Sequence, residues 1–201
     1  MEETAARIVP NILSLAGVDP SGGAGLLADI KTISALGGYA CGAVTALTVQ
    51  NTRGVSGGRI MSGDFVSAQM ESVLSDIRID AVKIGMLGNC EVIEAAAGIL
   101  RDHPVKHVVL DTILASTSGT PLLEPEAVGV LIRKLLPLCT VFTPNLPEAA
   151  ILLGDETPAD EGGMENTARR LWNLAGCGPT VYLKGGHLSG DRMVDLVFDG
   201  K

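Results

Sequence analysis

Aromatic side chains are almost missing from this chain of 201 residues: one Trp, two Tyr and three Phe make up 3% of it. Since 46% of the residues are hydrophobic, the core has to be aliphatic, which suits strands buried on both faces. Basic charge is short as well. Fifteen Lys and Arg stand against 23 Asp and Glu, a formal net charge of −8, which excludes the basic footprint of a nucleic-acid binder. Cysteine is sparse: Cys41, Cys90, Cys139 and Cys177 are scattered without a C-x-x-C pair and read as reduced thiols of a cytoplasmic protein. His103, His107 and His187 have no ligand spacing to them, so no zinc site is expected. No signal pattern and no apolar run of membrane length is visible, so no membrane partner is expected. The length fits one domain spanning residues 1–201.

What the chain does have is a stretch from Ile12 to Gly38, ILSLAGVDPSGGAGLLADIKTISALGG. An apolar run enters a loop of Gly, Asp, Pro and Ser, and a helix-length segment then ends at a Gly pair. Strand, glycine-rich turn and helix in that order place backbone N–H groups at a sheet edge, where an anion or polar ligand can sit. The loop is not a Walker A motif, because no Gly-Lys-Ser/Thr follows. Gly17, Gly22, Gly23 and Gly25 do not give the dinucleotide spacing G-x-G-x-x-G either, which leaves a generic dinucleotide-binding domain unsupported.

Short β-rich runs recur at Ile12–Ala16, Ala43–Val49, Ala81–Ile84, His107–Leu110, Val141–Thr143, Thr180–Leu183 and Leu196–Phe198. Helical patterns separate them: Asp64 to about Asp76, Asn89 to about Arg101, Glu124–Leu136 with Pro125 in the first turn, a short helix from Pro147 to Gly154, and Glu165–Ala175. The acidic stretch 155–163 reads as a surface loop. This alternation predicts an α/β fold with a mostly parallel central sheet and helices on both faces.

In such sheets ligands bind at the carboxyl ends of the strands, so the residues following each strand form a functional census. They are Asp19 with its glycines, Gln50-Asn51, Gly85-Met86, Asp111-Thr112, Asn145 with Glu148, and Lys184-Gly185-Gly186-His187. Asp111, Asn145 and Glu148 are oxygen ligands suited to Mg²⁺, directly or through water. Glu148 equally suits the first turn of a helix on dipole grounds alone. Lys184 before two glycines can reach a phosphate together with freed N–H groups. His187 reads as a loop residue. Gln50 offers donors and an acceptor to a heteroaromatic edge, and Met86 a soft surface beneath a ring, although Met86 could simply pack in the core. The set fits phosphoryl transfer, which needs positioning and charge neutralisation more than a protein nucleophile.

Six collinear motifs then carry a resemblance over nearly the whole chain: AGVDPSGGAGLLADIKTISALGG, VTALTVQNTRGV, VKIGML, VVLDTILASTSGTPLL, TPNLPEAAILLG and YLKGGHLSGDRMVDLVFDG. Together they resemble the hydroxymethylpyrimidine/phosphomethylpyrimidine kinases of the ribokinase superfamily. The resemblance implies a ribokinase-like three-layer α/β/α fold and Mg²⁺-ATP-dependent phosphorylation of a thiamine-precursor pyrimidine alcohol and then of its monophosphate. It also implies a cytoplasmic homodimer with no nucleic-acid partner. Carried over residue by residue, Gln50 would hydrogen-bond the pyrimidine, with Asp29, Gly17 and the Thr48 backbone near it and Met86 and Ile113 lining the ring pocket. Asn145 and Glu148 would organise Mg²⁺ and water with help from Asp111, and Lys184 would contact the nucleotide phosphates.

Two departures are small: Val18 stands where Ser or Thr is usual, and Leu27 where Gln is frequent. The third concerns chemistry. The family's Gly-Thr-Gly-Cys segment, which forms the anion hole and supplies the base, has no counterpart after Asp195–Gly200, so no catalytic residue is assigned within these 201 residues. Losing one anion-hole donor typically costs on the order of 10² to 10³ in rate. The expectation is therefore a chain incomplete at its C-terminus, inactive or weak alone, with part of an apolar sheet face uncovered. Pyridoxal kinase-like activity and a non-catalytic pyrimidine-binding module are the competing readings. Retention of Asn145, Glu148 and Lys184 speaks against the second.

Overall fold

The computed structural model describes residues 9–115, 121–158, 160–186 and 193–201. Eight strands are present: β1 (Asn11–Val18), β2 (Tyr39–Asn51), β3 (Gly54–Ile60), β4 (Ala81–Ile84), β5 (His107–Leu110), β6 (Val141–Phe142), β7 (Thr180–Leu183) and β8 (Leu196–Phe198). They form one sheet in the order β3-β2-β1-β4-β5-β6-β7-β8. The six inner strands run parallel, and β3 and β8 close the two edges antiparallel. The helices are α1 (Gly25–Ala35), α2 (Gly63–Leu74), α3 (Cys90–Asp102), α4 (Ala127–Val130, prolonged by a π turn at Leu131–Leu135 and a 3-10 turn at Leu136–Leu138), α5 (Leu146–Leu153) and α6 (Glu161–Leu174).

The helices lie on both faces, as the alternation of elements requires, but unequally. Inward residues of the strands, among them Leu13, Leu15, Ile84, Leu110, Phe142 and Leu183, share one buried cluster with residues of α2 to α6. Leu26 of α1 is buried outside that cluster. It packs on the opposite face at Gly42, where an added Cβ would meet Leu26 Cδ1 at 3.0 Å. Right-handed crossovers produce this division, because, of the crossovers between parallel strands, only the one from β1 to β2 runs leftward along the sheet. The expectation of strands buried on both faces is corrected for the right-hand half of the sheet. There burial alternates, and Val109, Val141 and Tyr182 on the α1 side are only half-buried.

Several boundaries move for local reasons. Strand β3 escapes sequence reading because GVSGGRI has three glycines and no alternation; it exists because Asn51–Gly54 turn the chain back onto β2. Where β3 ends, the Gln69 amide of α2 takes over, accepting from Val44 N at 2.9 Å and donating to Val44 O at 3.0 Å. Asp64 does not cap α2. Its N-cap is Ser62, and Glu91 Oε1 of α3 accepts the Gly63 N–H at 2.8 Å instead. Helix α6 begins at Glu161 rather than Glu165, because Asp160 caps it at Gly163 N (2.7 Å) and carries helix through two glycines. The Glu124–Leu136 pattern becomes helical only at Ala127.

Candidate active site

The glycine loop after β1 is organised by its own acid. Asp19 is 4% exposed. Its Oδ1 accepts from Ser21 N and Ser21 Oγ, both at 2.8 Å, and its Oδ2 from Gly23 N at 3.1 Å and Ala24 N at 3.0 Å. Burial works against its charge, but the Ser21 hydroxyl and the three backbone N–H groups outweigh it and hold its pKa below the ordinary carboxylate range. N–H groups read from the sequence as an anion cradle are therefore already paired inside the protein. Lys31 ties the loop from the far side by donating to the Gly22 carbonyl. Gly25 adopts φ +59, and a Cβ there would lie 2.2 Å from the Gly17 carbonyl oxygen, so the loop closes onto β1 only with glycine.

Two neighbouring concavities lie along the carboxyl edge. The larger is an apolar cleft of about 450 Å³ between the β2–β3 hairpin and residues 121–125, with Ala46, Thr48, Ile60 and Met86 among its walls. Gly17 adjoins it, since a Cβ there would stand 3.1 Å from Met86 Sδ. The buried Thr45 hydroxyl donates to the Met86 carbonyl and anchors the turn. Gln50 is half-buried on β2, its Oε1 3.1 Å from Thr48 Oγ1, which also donates to Val18 O at 2.9 Å. Ile113 belongs to the smaller concavity with Gly85 and Asp111, which shares Leu123 with the larger. Asp29 stands on α1, bonded to Ser14 and Lys83 rather than to any of the other expected pyrimidine residues.

At the ends of β5, β6 and β7 the structure gathers the expected phosphate-side residues. Lys184 Nζ lies 2.9 Å from Asp111 Oδ1, which also accepts from Thr143 Oγ1 at 3.0 Å. Both partners of the ion pair are about one-third exposed, at 37% and 32%. Asn145 and Glu148 form a reciprocal capping box at the start of α5: Asn145 Oδ1 accepts from Glu148 N and Glu148 Oε2 from Asn145 N, both at 2.8 Å. The Thr112 hydroxyl adds a 3.3 Å contact to the same Glu148 oxygen. Glu148 is buried, and burial raises its pKa above the ordinary value although the Asn145 N–H and Lys184 oppose it. Lys184 N donates to Pro144 O at 2.8 Å, which locks the two loops together.

These donors bear on the magnesium expectation. No three His, Cys, Asp or Glu side chains converge as a cage among the described residues. Asp111 and Glu148 fit an ion held chiefly by phosphates and water, the way Mg²⁺ usually binds, with one or two carboxylates nearby. They do not fit an all-protein site.

The phosphomethylpyrimidine kinase family model matches residues 19–201. The chain belongs to that family. It is 50% identical over 188 residues to the hydroxymethylpyrimidine/phosphomethylpyrimidine kinase of Escherichia coli, an alignment covering 94% of this chain and 70% of that protein. The phosphomethylpyrimidine kinase structure from Clostridium difficile superposes with a TM-score of 0.85 at 39% identity, covering 94% of this chain and 80% of the other. A pyridoxal kinase from Staphylococcus aureus in complex with ADP also superposes at 0.85, with 33% identity and coverage of 97% and 70%. The ribokinase-like α/β fold and the kinase class expected from the six motifs are thus borne out.

For this phosphomethylpyrimidine kinase family member, three polar participants escaped sequence reading. Thr143 gave no signal beyond closing a β-rich run, whereas Thr112 was in the census of strand ends but without a role. Asp195 accepts from Gly185 N at 3.0 Å and from Tyr182 OH at 2.8 Å, holding the Lys184–Gly185 turn from β8's side. Lys83 could have been found, because a lone charge inside the apolar run AVKI is itself a signal. His187 lies outside the described residues. So do the rest of the segment 187–192 of the last motif and 116–120 of the fourth.

Proposed function

We propose that the carboxyl edge of this sheet holds a hydroxymethyl aminopyrimidine at its β1–β2–β4 end and the triphosphate of ATP at its β5–β7 end, so that the phosphoryl group passes to the pyrimidine's hydroxyl. The observation that carries this reading is the gathering of two pairs from three loops, Lys184 with Asp111 and Asn145 with Glu148, which the Lys184 N–Pro144 O bond ties together, the charges of Lys184 and Asp111 acting on Glu148. Retained for structure alone, a partly exposed Lys–Asp pair would contribute little, since such pairs are typically worth about 0–1 kcal/mol.

In this reading Lys184 exchanges part of its contact with Asp111 for a phosphate oxygen, supplying charge without leaving its place. The capping box fixes Asn145 and Glu148 so that neither side chain must reorder when nucleotide binds. Mg²⁺, when bound with the nucleotide, neutralises the phosphate charge, and Asp111 and Glu148 would meet its water shell. Gln50 reads the ring edge, while Thr48 fixes its amide oxygen and Met86, backed by Gly17, forms a wall under the ring. Asp29 and Ile113 complete the pyrimidine side. Gln50 and Lys184 stand five strand positions apart along the sheet. At roughly 4.8 Å per strand that is about 24 Å, so the two ligands lie end to end along the carboxyl edge rather than stacked in one cleft.

Four free cysteines among the described residues favour a reducing, cytoplasmic setting. A homodimer is part of the same proposal. It is supported by Leu47 and Val49 on β2, 51% and 63% exposed beside the open edge of β3, and light scattering checks it. The functional reading is tested by calorimetric titration with 4-amino-5-hydroxymethyl-2-methylpyrimidine and with Mg-ATP. Binding of both, the first lost in Gln50→Ala and the second weakened in Lys184→Met, supports it. Mg-ATP bound equally well by Lys184→Met overturns it.

A further inference from the structure

Lys83, the ion-pair partner of Asp29, has no role in the reading so far. Lys83 is the third residue of β4, flanked by Val82 and Ile84, which are wholly buried on the other face. Its ammonium lies 2.9 Å from Asp29 Oδ2, and the Ser14 hydroxyl donates to the same oxygen at 2.7 Å. Among the described residues no hydrogen bond engages Asp29 Oδ1. The pair is not sealed away: the two side chains are 26% and 17% exposed. Nor is it remote from the ligand wall. Lys83 Nζ sits 3.0 Å from where a Cβ on Gly85 would stand, Ile113 Cδ1 is 3.6 Å from that same point, and Met86 follows Gly85 in the chain.

An apolar side chain would cover this face at less desolvation cost than an ion pair, and replacing such pairs by apolar residues is often neutral or stabilising. The arrangement does something an apolar residue cannot. Two donors converge on one carboxylate oxygen, so the carboxylate is pinned in orientation and its second oxygen is left as an acceptor of fixed position. We infer that Lys83, helped by Ser14, is a positioning residue that aims the free oxygen of Asp29 at an N–H donor of the substrate, the exocyclic amine of an aminopyrimidine. This rests on the reading that Asp29 lies on the pyrimidine side. It adds that recognition of the amine depends on a residue that does not itself touch the ligand.

The test is calorimetric titration of two ring ligands and of Mg-ATP into the wild-type chain and into Lys83→Met, Lys83→Arg, Ser14→Ala and Asp29→Ala. The two ring ligands are the 4-amino pyrimidine alcohol and its analogue lacking the 4-amino group. Lys83→Met is expected to weaken the amino ligand about tenfold, near 1.4 kcal/mol, with the deamino analogue and Mg-ATP changed less than about twofold. Lys83→Arg is expected to recover most of the loss, and Ser14→Ala, which removes a donor without leaving a charge, to show a smaller loss of the same selectivity. Parallel weakening of all three ligands, tracking a fall in melting temperature, would mean a merely structural pair and overturn the inference. If Asp29→Ala weakens the amino ligand and Lys83→Met does not, the inference fails while the placement of Asp29 stands. If Asp29→Ala leaves that ligand unaffected, the placement itself is wrong and the inference falls with it.

Discussion

The proposed function gives Glu148 two tasks that substitution can separate. Its Oε2 accepts the Asn145 N–H at 2.8 Å and meets the Thr112 hydroxyl at 3.3 Å, and its carboxylate faces Lys184 and Asp111 across the phosphate side. Glu148→Ala leaves the half-buried Asn145 N–H and the buried Thr112 hydroxyl without this acceptor and removes an acid from the first turn of α5. A hydrogen bond to a charged group is worth about 1.5–3 kcal/mol, and the helix-dipole term adds about 0.3–1 kcal/mol. The expected loss is therefore about 2–4 kcal/mol, or about 4–16 °C in melting temperature for a chain of this size. Glu148→Gln keeps an acceptor oxygen of the same reach, and Gln serves in a capping box as Glu does, so its stability should lie within about 1 kcal/mol of wild type. Both variants should weaken Mg-ATP alike, because both remove the charge. Scanning calorimetry with titration of Mg-ATP reads the two effects side by side. Equal destabilisation by Gln and Ala, or wild-type Mg-ATP affinity in Glu148→Gln, would refute the division of labour.

The pKa of Glu148 gives a further check with a definite sign. Burial raises it above 4.5, so the folded state binds the proton more tightly than the unfolded chain. Wild type should gain stability relative to Glu148→Gln as pH falls through the folded pKa, the gain being complete below about 4.5, and urea titrations of both proteins at a series of pH values measure it. Lys184→Met should cost under about 1 kcal/mol of stability, since the pair with Asp111 is a third exposed, yet weaken Mg-ATP about tenfold or more through loss of a charge-assisted phosphate contact. Gly185→Ala would place a Cβ 1.9 Å from Val194 O and should destabilise by about 3–5 kcal/mol, whereas Gly178→Ala, with nothing within 4 Å, should stay within about 0.5 kcal/mol; urea midpoints compare them. Asp19→Asn should speed amide exchange at Gly23 and Ala24, whose N–H groups Asp19 Oδ2 now accepts; unchanged exchange would show that the loop does not depend on that carboxylate.

The sequence made the parallel strands legible because each is a short apolar run punctuated by a polar end, and the carboxyl-edge census followed from that punctuation. Pro147, with Glu148 in the first turn, announced a helix start, and the structure adds a capping box between Asn145 and Glu148. The same pair shows why function was harder to read: one pattern suits both a helix cap and the proposed phosphate-side site, and spacing does not separate them. Strand β3 was hidden because its glycines carry no pattern and its existence depends on β2, a non-local partner. The capping of α2 by Glu91 of α3 is likewise tertiary and has no trace near Asp64. The glycine loop was found but its electrostatics were not, since only coordinates show Asp19 turning back onto the N–H groups that seemed open to a ligand.

The account stands most directly on two ligands sharing one sheet edge through separate residues, and a ternary titration reads this. Protein saturated with the aminopyrimidine alcohol should still bind the magnesium complex of a non-hydrolysable ATP analogue. Gln50→Ala should abolish only the first binding and Lys184→Met weaken only the second. Mutual exclusion of the two ligands, or loss of both in either variant while the fold is intact, would contradict it.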